Sequence, residues 1–272
     1  ALNDGSLTGV TTGFRDLDNQ LSGLQNSDFI LLAARPSVGK TALGINIAVN
    51  AAKNGKKVGV FSLEMSKRQI TQRIISMISM VNLSDIISGN LEEEEWNQLL
   101  TKMEDIKNLD LYIDDTASIS LTELRAKAKR KKQEEGLDLI MIDYLQLMTT
   151  DSSRVENRQQ EISTISRGLK ALANELNIPI LSLSQLSRKT EERSDKKPML
   201  SDLRESGAIE QDADVVMMLY RDDYYDKESE LQNNLEVIIA KHRNGPTGSV
   251  NLYFAKEYTL FTDIEYGGEN GN

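Results

Sequence analysis

The chain has 272 residues with 32 Lys plus Arg against 42 Asp plus Glu, a formal net charge of −10. Hydrophobic residues at 39% and charged residues at 27% are the proportions of a globular chain, which excludes collagen-like, coiled-coil and disordered classes. With no Cys and a single His, His242, disulfide frameworks, thiolate metal sites and multi-His centres are excluded as well.

No apolar run approaches the ~20 residues of a membrane span, and residues 1–10 lack a charged segment followed by an apolar block. The expectation is a soluble, unexported, cytoplasmic protein with no membrane partner. The chain does not begin with Met, so a piece cut from a longer protein is also expected. Its length fits one large α/β domain, 1–272, with a leading segment 1–20 and a frayed tail 265–272. The acidic total argues against a protein that coats duplex DNA. Charge is nonetheless polarised: residues 121–136 hold six basic and three acidic side chains, residues 221–236 six acidic and two basic.

Short apolar runs separated by longer amphipathic stretches predict strands alternating with helices. The first run, 29–34, leads into Arg35-Pro36-Ser37-Val38-Gly39-Lys40-Thr41 and then a helical pattern over 41–54. A strand, this loop and a helix are the context of a P-loop. Backbone amides of Ser37, Val38, Gly39, Lys40, Thr41 and Ala42 would face phosphate, Lys40 would add a charge, and the Thr41 hydroxyl would hold Mg²⁺ beneath a bound ATP or other NTP. Ala34 stands where a P-loop usually has its first glycine, so it must adopt a conformation open to a Cβ or be strained. A helix start without function is the competing reading.

The run 58–63 ends at Glu64, and helical patterns follow over 67–80 and 92–107, then a strand over 109–113. Ser120 and Glu123 form a capping-box pattern before the helix 121–135, whose basic stretch 125–132 reads as a solvated face. The run 137–142 ends at Asp143, placed to hold Mg²⁺, although an acid there can also merely cap a turn. A polar loop over 148–157, a helix over 154–176 and a strand over 178–183 lead to Gln185. After a second polar loop, 186–202, comes a helical stretch 201–210 and the strand 215–219.

Such buried runs predict a mostly parallel sheet covered by helices on both faces. Ligands of open α/β sheets sit at the carboxyl ends of the strands, so Lys40, Glu64, Asp143 and Gln185 are expected to converge. Glu64 is then a candidate general base and Gln185 a candidate γ-phosphate sensor. Closely spaced runs 235–240, 249–255 and 258–264, with the turn 244–248 between two of them, predict antiparallel hairpins at one sheet edge. Strand geometry puts Lys241 and Arg243 on one side and His242 on the other, two cations suited to a neighbouring subunit's phosphate or to an acidic surface.

The segments AARPSVGKT (33–41), SLEMS (62–66), IDYLQLM (142–148), LSQLSR (183–188), LRESGAIEQDAD (203–214) and KHRNGPTG (241–248) together resemble the ATPase domain of bacterial replicative DNA helicases of the DnaB type. The resemblance covers nearly the whole chain, and Ala34 is usual in that family. It implies a RecA-like P-loop NTPase core, assembled six to a ring around single-stranded DNA, that hydrolyses ATP with Mg²⁺ between neighbours. It also implies a primase and a helicase loader as partners, nucleoid association during replication, and a preceding helical domain that this chain is expected to lack. Carried over residue by residue, Lys40 and Thr41 bind phosphate and metal, Glu64 is the base, Asp143 holds metal, and Gln185 is the sensor. Lys241 and Arg243 act on the adjacent subunit. Pore-loop contacts to DNA fall on Arg204, Glu205 and Gly207, with Arg158 in a second segment. The segment 186–205 holds six basic and five acidic residues, so contact there would rest on backbone amides more than on charge. A RecA-like recombinase or clock-type ATPase, and a nucleotide-gated scaffold that unwinds nothing, remain as alternatives.

Overall fold

A computed structural model describes residues 7–150, 157–193 and 195–264; for Lys189 and residues 204–208 it describes the backbone alone. The expectations for residues 1–6, for 151–156 and for the tail 265–272 lie outside the described residues.

The strands form on the short, mostly apolar runs: β1 (Phe29–Ala34), β2 (Val58–Ser62), β3 (Leu111–Asp114), β4 (Leu139–Asp143), β5 (Ile180–Gln185) and β6 (Val215–Tyr220). They are followed by β7 (Asn234–His242), β8 (Gly248–Ala255) and β9 (Leu260–Asp263). One sheet has the order β3-β2-β4-β5-β1-β6-β7-β8-β9. The pairs from β3 to β6 are parallel, and those from β6 to β9 antiparallel.

Burial separates the two kinds of strand. β1, β2 and β4 are buried at every position because helices cover both faces, whereas β7 alternates between buried and half-buried residues. Alternate residues of β1 feed opposite layers. Ile30 and Leu32 join α2 (Lys40–Lys53) and α3 (Lys67–Ser79) in one core, and Phe29 and Leu31 join α6 (Leu121–Glu134) and α7 (Arg158–Leu176) in the other. The Ser66 hydroxyl accepts the Gln69 amide while the Gln69 side chain accepts the Ser66 amide, a capping box that fixes where α3 begins.

Helices the sequence reading did not include are short: α1 (Arg15–Leu21), α4 (Leu83–Ser88) and α9 (Asp222–Tyr225). α1 anchors the leading segment, since Phe14, Leu17 and Leu21 are buried and Val10 bridges Leu24. α5 (Glu93–Lys107) matches its expected helix to one residue. The stretch read as one helix over 201–210 divides instead into a 3₁₀ segment, Leu200–Ser206, itself kinked at Leu203 (ψ 21°), and α8 (Gly207–Asp212). Among the described residues no helix is long and apolar enough to cross a membrane.

Candidate functional site

Strand register sets the site. Ala34 pairs with Gln185 across β1 and β5, and Ser62 pairs with Asp143 across β2 and β4, so the carboxyl ends of four parallel strands finish together. Ala34 is the last, extended residue of β1 and has no left-handed backbone, so the strain that the missing glycine suggested is absent. The tight geometry lies further along. Ser37 has φ 65° and Gly39 φ 124°, and a Cβ at Gly39 would stand 3.2 Å from the Phe261 ring. From Gly39 the chain enters the 14-residue α2, whose first amides have no intrahelical acceptor.

An open cleft of 380 Å³ lies above these strand ends, lined among others by Ser37, Lys40, Thr41, Glu64, Arg73 and Gln185. Thr41 donates its hydroxyl to Asp143 Oδ2 at 2.7 Å. Lys40 Nζ stands 3.7 Å from Asp143 Oδ1 and 4.2 Å above the Tyr144 ring. Burial pushes the Lys40 ammonium below its ordinary value, against the pull of Asp143 and Glu64. Asp143 Oδ1 is buried without a hydrogen-bond donor. A carboxylate and a hydroxyl bonded to each other, with the second carboxylate oxygen facing only the Lys40 ammonium, fit a hard cation such as Mg²⁺. Among the described residues no cluster of three or more His, Asp or Glu could cage a metal unaided. Glu64 is exposed at the rim of the cleft, where a water could reach it.

The sequence-derived cations divide by place. β7 runs antiparallel to β6, and His242 pairs with Val215 at the start of that strand. Val215 in turn pairs with Ile30 near the beginning of β1. Lys241 and Arg243 therefore lie at the amino end of β1, roughly 13 Å of strand away from the P-loop at its carboxyl end. Arg243 Nη1 meets Asp214 Oδ1 at 3.1 Å, and its side chain is 50% exposed. Lys241 Nζ donates to the carbonyls of Glu210, Gln211 and Ala213.

Of the residues expected near DNA, Arg158 is engaged internally, donating to the carbonyls of Gln146 and Met148 and pairing with Glu161. Arg204 and Glu205 fall in the 3₁₀ segment before α8, and Gly207 opens α8; their side chains lie outside the described residues.

Sequence reasoning missed three contributors. Arg35, buried within the P-loop, bonds the Leu186 carbonyl and Glu191 at 2.9 Å each, tying the loop after β1 to the loop after β5. Gln146 straps β4 to β5 by donating to Ser184 Oγ at 2.8 Å. Arg73 reaches the cleft from α3, and burial lowers its pKa. Arg35 could have been singled out as the cation inside the motif. Arg73 has no signal beyond its position three residues after the inward-facing Ile70.

The sequence profile of the DnaB-like helicase C-terminal domain matches residues 9–263. The chain is 54% identical over 263 residues to the replicative DNA helicase DnaB of Geobacillus stearothermophilus, covering 96% of this chain and 58% of that protein. It is 53% identical over 262 residues to the replicative DNA helicase DnaC of Bacillus subtilis (strain 168), with the same coverage of 96% and 58%. It thus spans little more than half the length of these curated relatives. Among solved structures, one described as an ATPase domain superposes with a TM-score of 0.93 at 45% identity, over 97% of this chain and 94% of that one. A DnaB-like replicative helicase, described with its interactions with primase, also gives 0.93 at 45% identity, over 97% and 64%.

Proposed function

The chain belongs to the DnaB-like helicase C-terminal domain family, and from that premise we propose that it is the ATP-driven motor of a replicative helicase, translocating on single-stranded DNA to separate duplex at the fork. The observation that carries the reading is the distance between its half-sites. Lys40, Thr41, Glu64, Asp143 and Gln185 gather at one end of the sheet, while Arg243 stands half exposed at the other. A γ-phosphate held at the P-loop is out of reach of the same chain's Arg243, so a cation must be lent across a head-to-tail contact.

In this reading the amides of residues 37–41 and Lys40 bind the phosphates, and Glu64 takes a proton from the attacking water. Gln185 lines both the nucleotide cleft and a second cavity of 400 Å³ bounded by Leu186, Arg188 and Leu203, so a change at the γ-phosphate is passed to the 186–203 segment. Thr41 and Asp143 would hold Mg²⁺, which supplies charge neutralisation between the phosphates. Arg204, Glu205 and Gly207 are the DNA contacts in this proposal. Six copies close the head-to-tail ring, a primase and a loader dock on the whole protein, and the assembly works in the nucleoid-associated replication machinery of the cytoplasm.

The test is ATP hydrolysis with and without single-stranded DNA across protein concentration. Turnover per chain should rise steeply as copies associate and should rise further with DNA. A rate per chain independent of dilution would remove the shared site, and indifference to DNA would leave an ATPase that is no helicase motor.

A further inference from the structure

Parallel pairing between β4 and β5 runs from Ile140 and Ile180 to Ile142 and Ser182 and stops there, because β4 ends at Asp143 and the chain enters a 3₁₀ turn, Leu145–Leu147. β5 continues to Gln185. Its other neighbour keeps pace: β1 pairs with it as far as Ala34 and Gln185, and the Leu186 amide donates to the Ala34 carbonyl at 3.0 Å. The last residue of β5 is therefore held as strand on one side only, at the point where its exposed side chain enters the nucleotide cleft.

The open side is filled by a side chain. Gln146, from the 3₁₀ turn, accepts the Gln185 amide on Oε1 at 3.3 Å and donates Nε2 to the Gln185 carbonyl at 3.3 Å and to Ser184 Oγ at 2.8 Å. A primary amide carries the donor and acceptor of a peptide group with one N–H to spare, and the spare one meets the hydroxyl of a residue that is 1% exposed. Reversing the amide would set NH₂ against the Gln185 N–H and oxygen against the Gln185 carbonyl, so the partners fix its orientation. The turn that delivers Gln146 is itself held. Leu145 and Met148 are buried on either side of it, and Arg158 of α7 donates to the carbonyls of Gln146 and Met148. Gln146 lines the second cavity and not the nucleotide cleft, so it acts on the cleft through Gln185.

We propose that Gln146 is a positioning residue for the γ-phosphate sensor: its amide takes the place of the strand residue that β4 does not supply and fixes the peptide from which the Gln185 side chain projects. This rests on the reading of Gln185 given above and adds the residue that aims it. Water could satisfy the Gln185 N–H and C=O as well, but it would not set their direction, and a small tilt of the peptide is enlarged along the side chain to its tip.

The experiment compares Gln146→Leu, Gln146→Glu, Gln185→Ala and the double variant Gln146→Leu/Gln185→Ala with the parent chain. It measures kcat and KM for ATP, the affinities of ADP and ATPγS with fluorescent analogues, and hydrogen exchange over 183–187. Gln146→Leu should lower kcat about tenfold and the ATPγS-over-ADP preference about as much, with ADP affinity kept within about twofold because a diphosphate has nothing for the sensor to meet. Exchange over 183–187 should quicken. Gln146→Glu keeps an acceptor for the Gln185 N–H but turns a charge on the Gln185 carbonyl, so it should share the loss. Since Gln146 acts through Gln185, adding Gln146→Leu to Gln185→Ala should change kcat by less than about twofold. The proposal is overturned if the two losses multiply in the double variant, if ADP affinity falls as far as ATPγS affinity, if Gln146→Glu behaves as the parent, or if exchange over 183–187 is unchanged. A Gln185→Ala chain with the parent's kcat and preference would instead overturn the reading of Gln185 as sensor, and the proposal with it, whatever the exchange shows.

Discussion

Glu64 differs from its neighbours in the cleft: Lys40 and Thr41 are tied to Asp143, whereas Glu64 stands exposed at the rim, apart from that cluster. In the proposed function Glu64 is the base, and a base so placed contributes to the proton-transfer step and little to ground-state binding. Glu64→Gln should therefore keep ATPγS affinity within a few-fold and reduce turnover by about 10²–10⁴-fold, measured as steady-state hydrolysis beside equilibrium binding. A matching fall in affinity would show that Glu64 binds nucleotide instead. The convergence of Lys40, Glu64, Asp143 and Gln185 was legible in the sequence because each lies at or just beyond the end of a buried strand or its loop, and parallel register brings such ends together. Arg35 was not legible as a tie, since its partner Glu191 is 156 residues away and only the folded loops bring them together. That Lys241 and Arg243 share one strand end was legible from strand alternation, whereas the distance of that end from the P-loop needed the sheet order.

At the scale of elements, the end of β6 is stapled to the P-loop by a buried ion pair. Arg221 Nη1 donates to the Val38 carbonyl at 3.4 Å, and Arg221 holds Asp223 at 3.0 and 2.9 Å. Asp223 also accepts Lys256 Nζ at 2.6 Å and the Asn233 amide at 3.2 Å, so one carboxylate joins α9, the start of β7 and the turn after β8. Burial alone would raise this carboxyl, yet the bonds from Arg221 and Lys256 bring it down to about 2 from an ordinary 3.8. A carboxylate depressed in the folded state stabilises fully above its unfolded pKa and loses that contribution as pH falls through the folded one. Asp223 should thus account for about 2 kcal/mol of the parent's loss of stability between pH 4 and pH 2, read from urea unfolding, and Asp223→Asn should lack that part of the acid limb. Asp223→Ala, which leaves Arg221 buried and unpaired, should cost about 3–5 kcal/mol at neutral pH. The short elements here explain what sequence reading left out. α9 has four residues and α4 six, too few for a helical period to show, while the fourteen- and nineteen-residue α6 and α7 were plain.

For the whole molecule, the proposed function requires that a P-loop and the Arg243 of the same chain serve different active sites. Lys40→Ala should inactivate the site that a chain carries, and Arg243→Ala the site of the neighbour it serves, by about 10³-fold or more. Mixed before assembly, the two inactive variants form some contacts in which an intact P-loop from the Arg243→Ala chain meets an intact Arg243 from the Lys40→Ala chain. With equal amounts and random placement around a head-to-tail ring, about one contact in four is complete, so activity should return to about a quarter of the parent if contacts fire independently. A return well below that fraction would mean that neighbouring sites must fire in sequence, because an inactive contact then stalls the rest. No return at all, in mixtures shown by mass to contain both chains, is the limit of strict sequence, because each complete contact is followed by one whose P-loop comes from a Lys40→Ala chain.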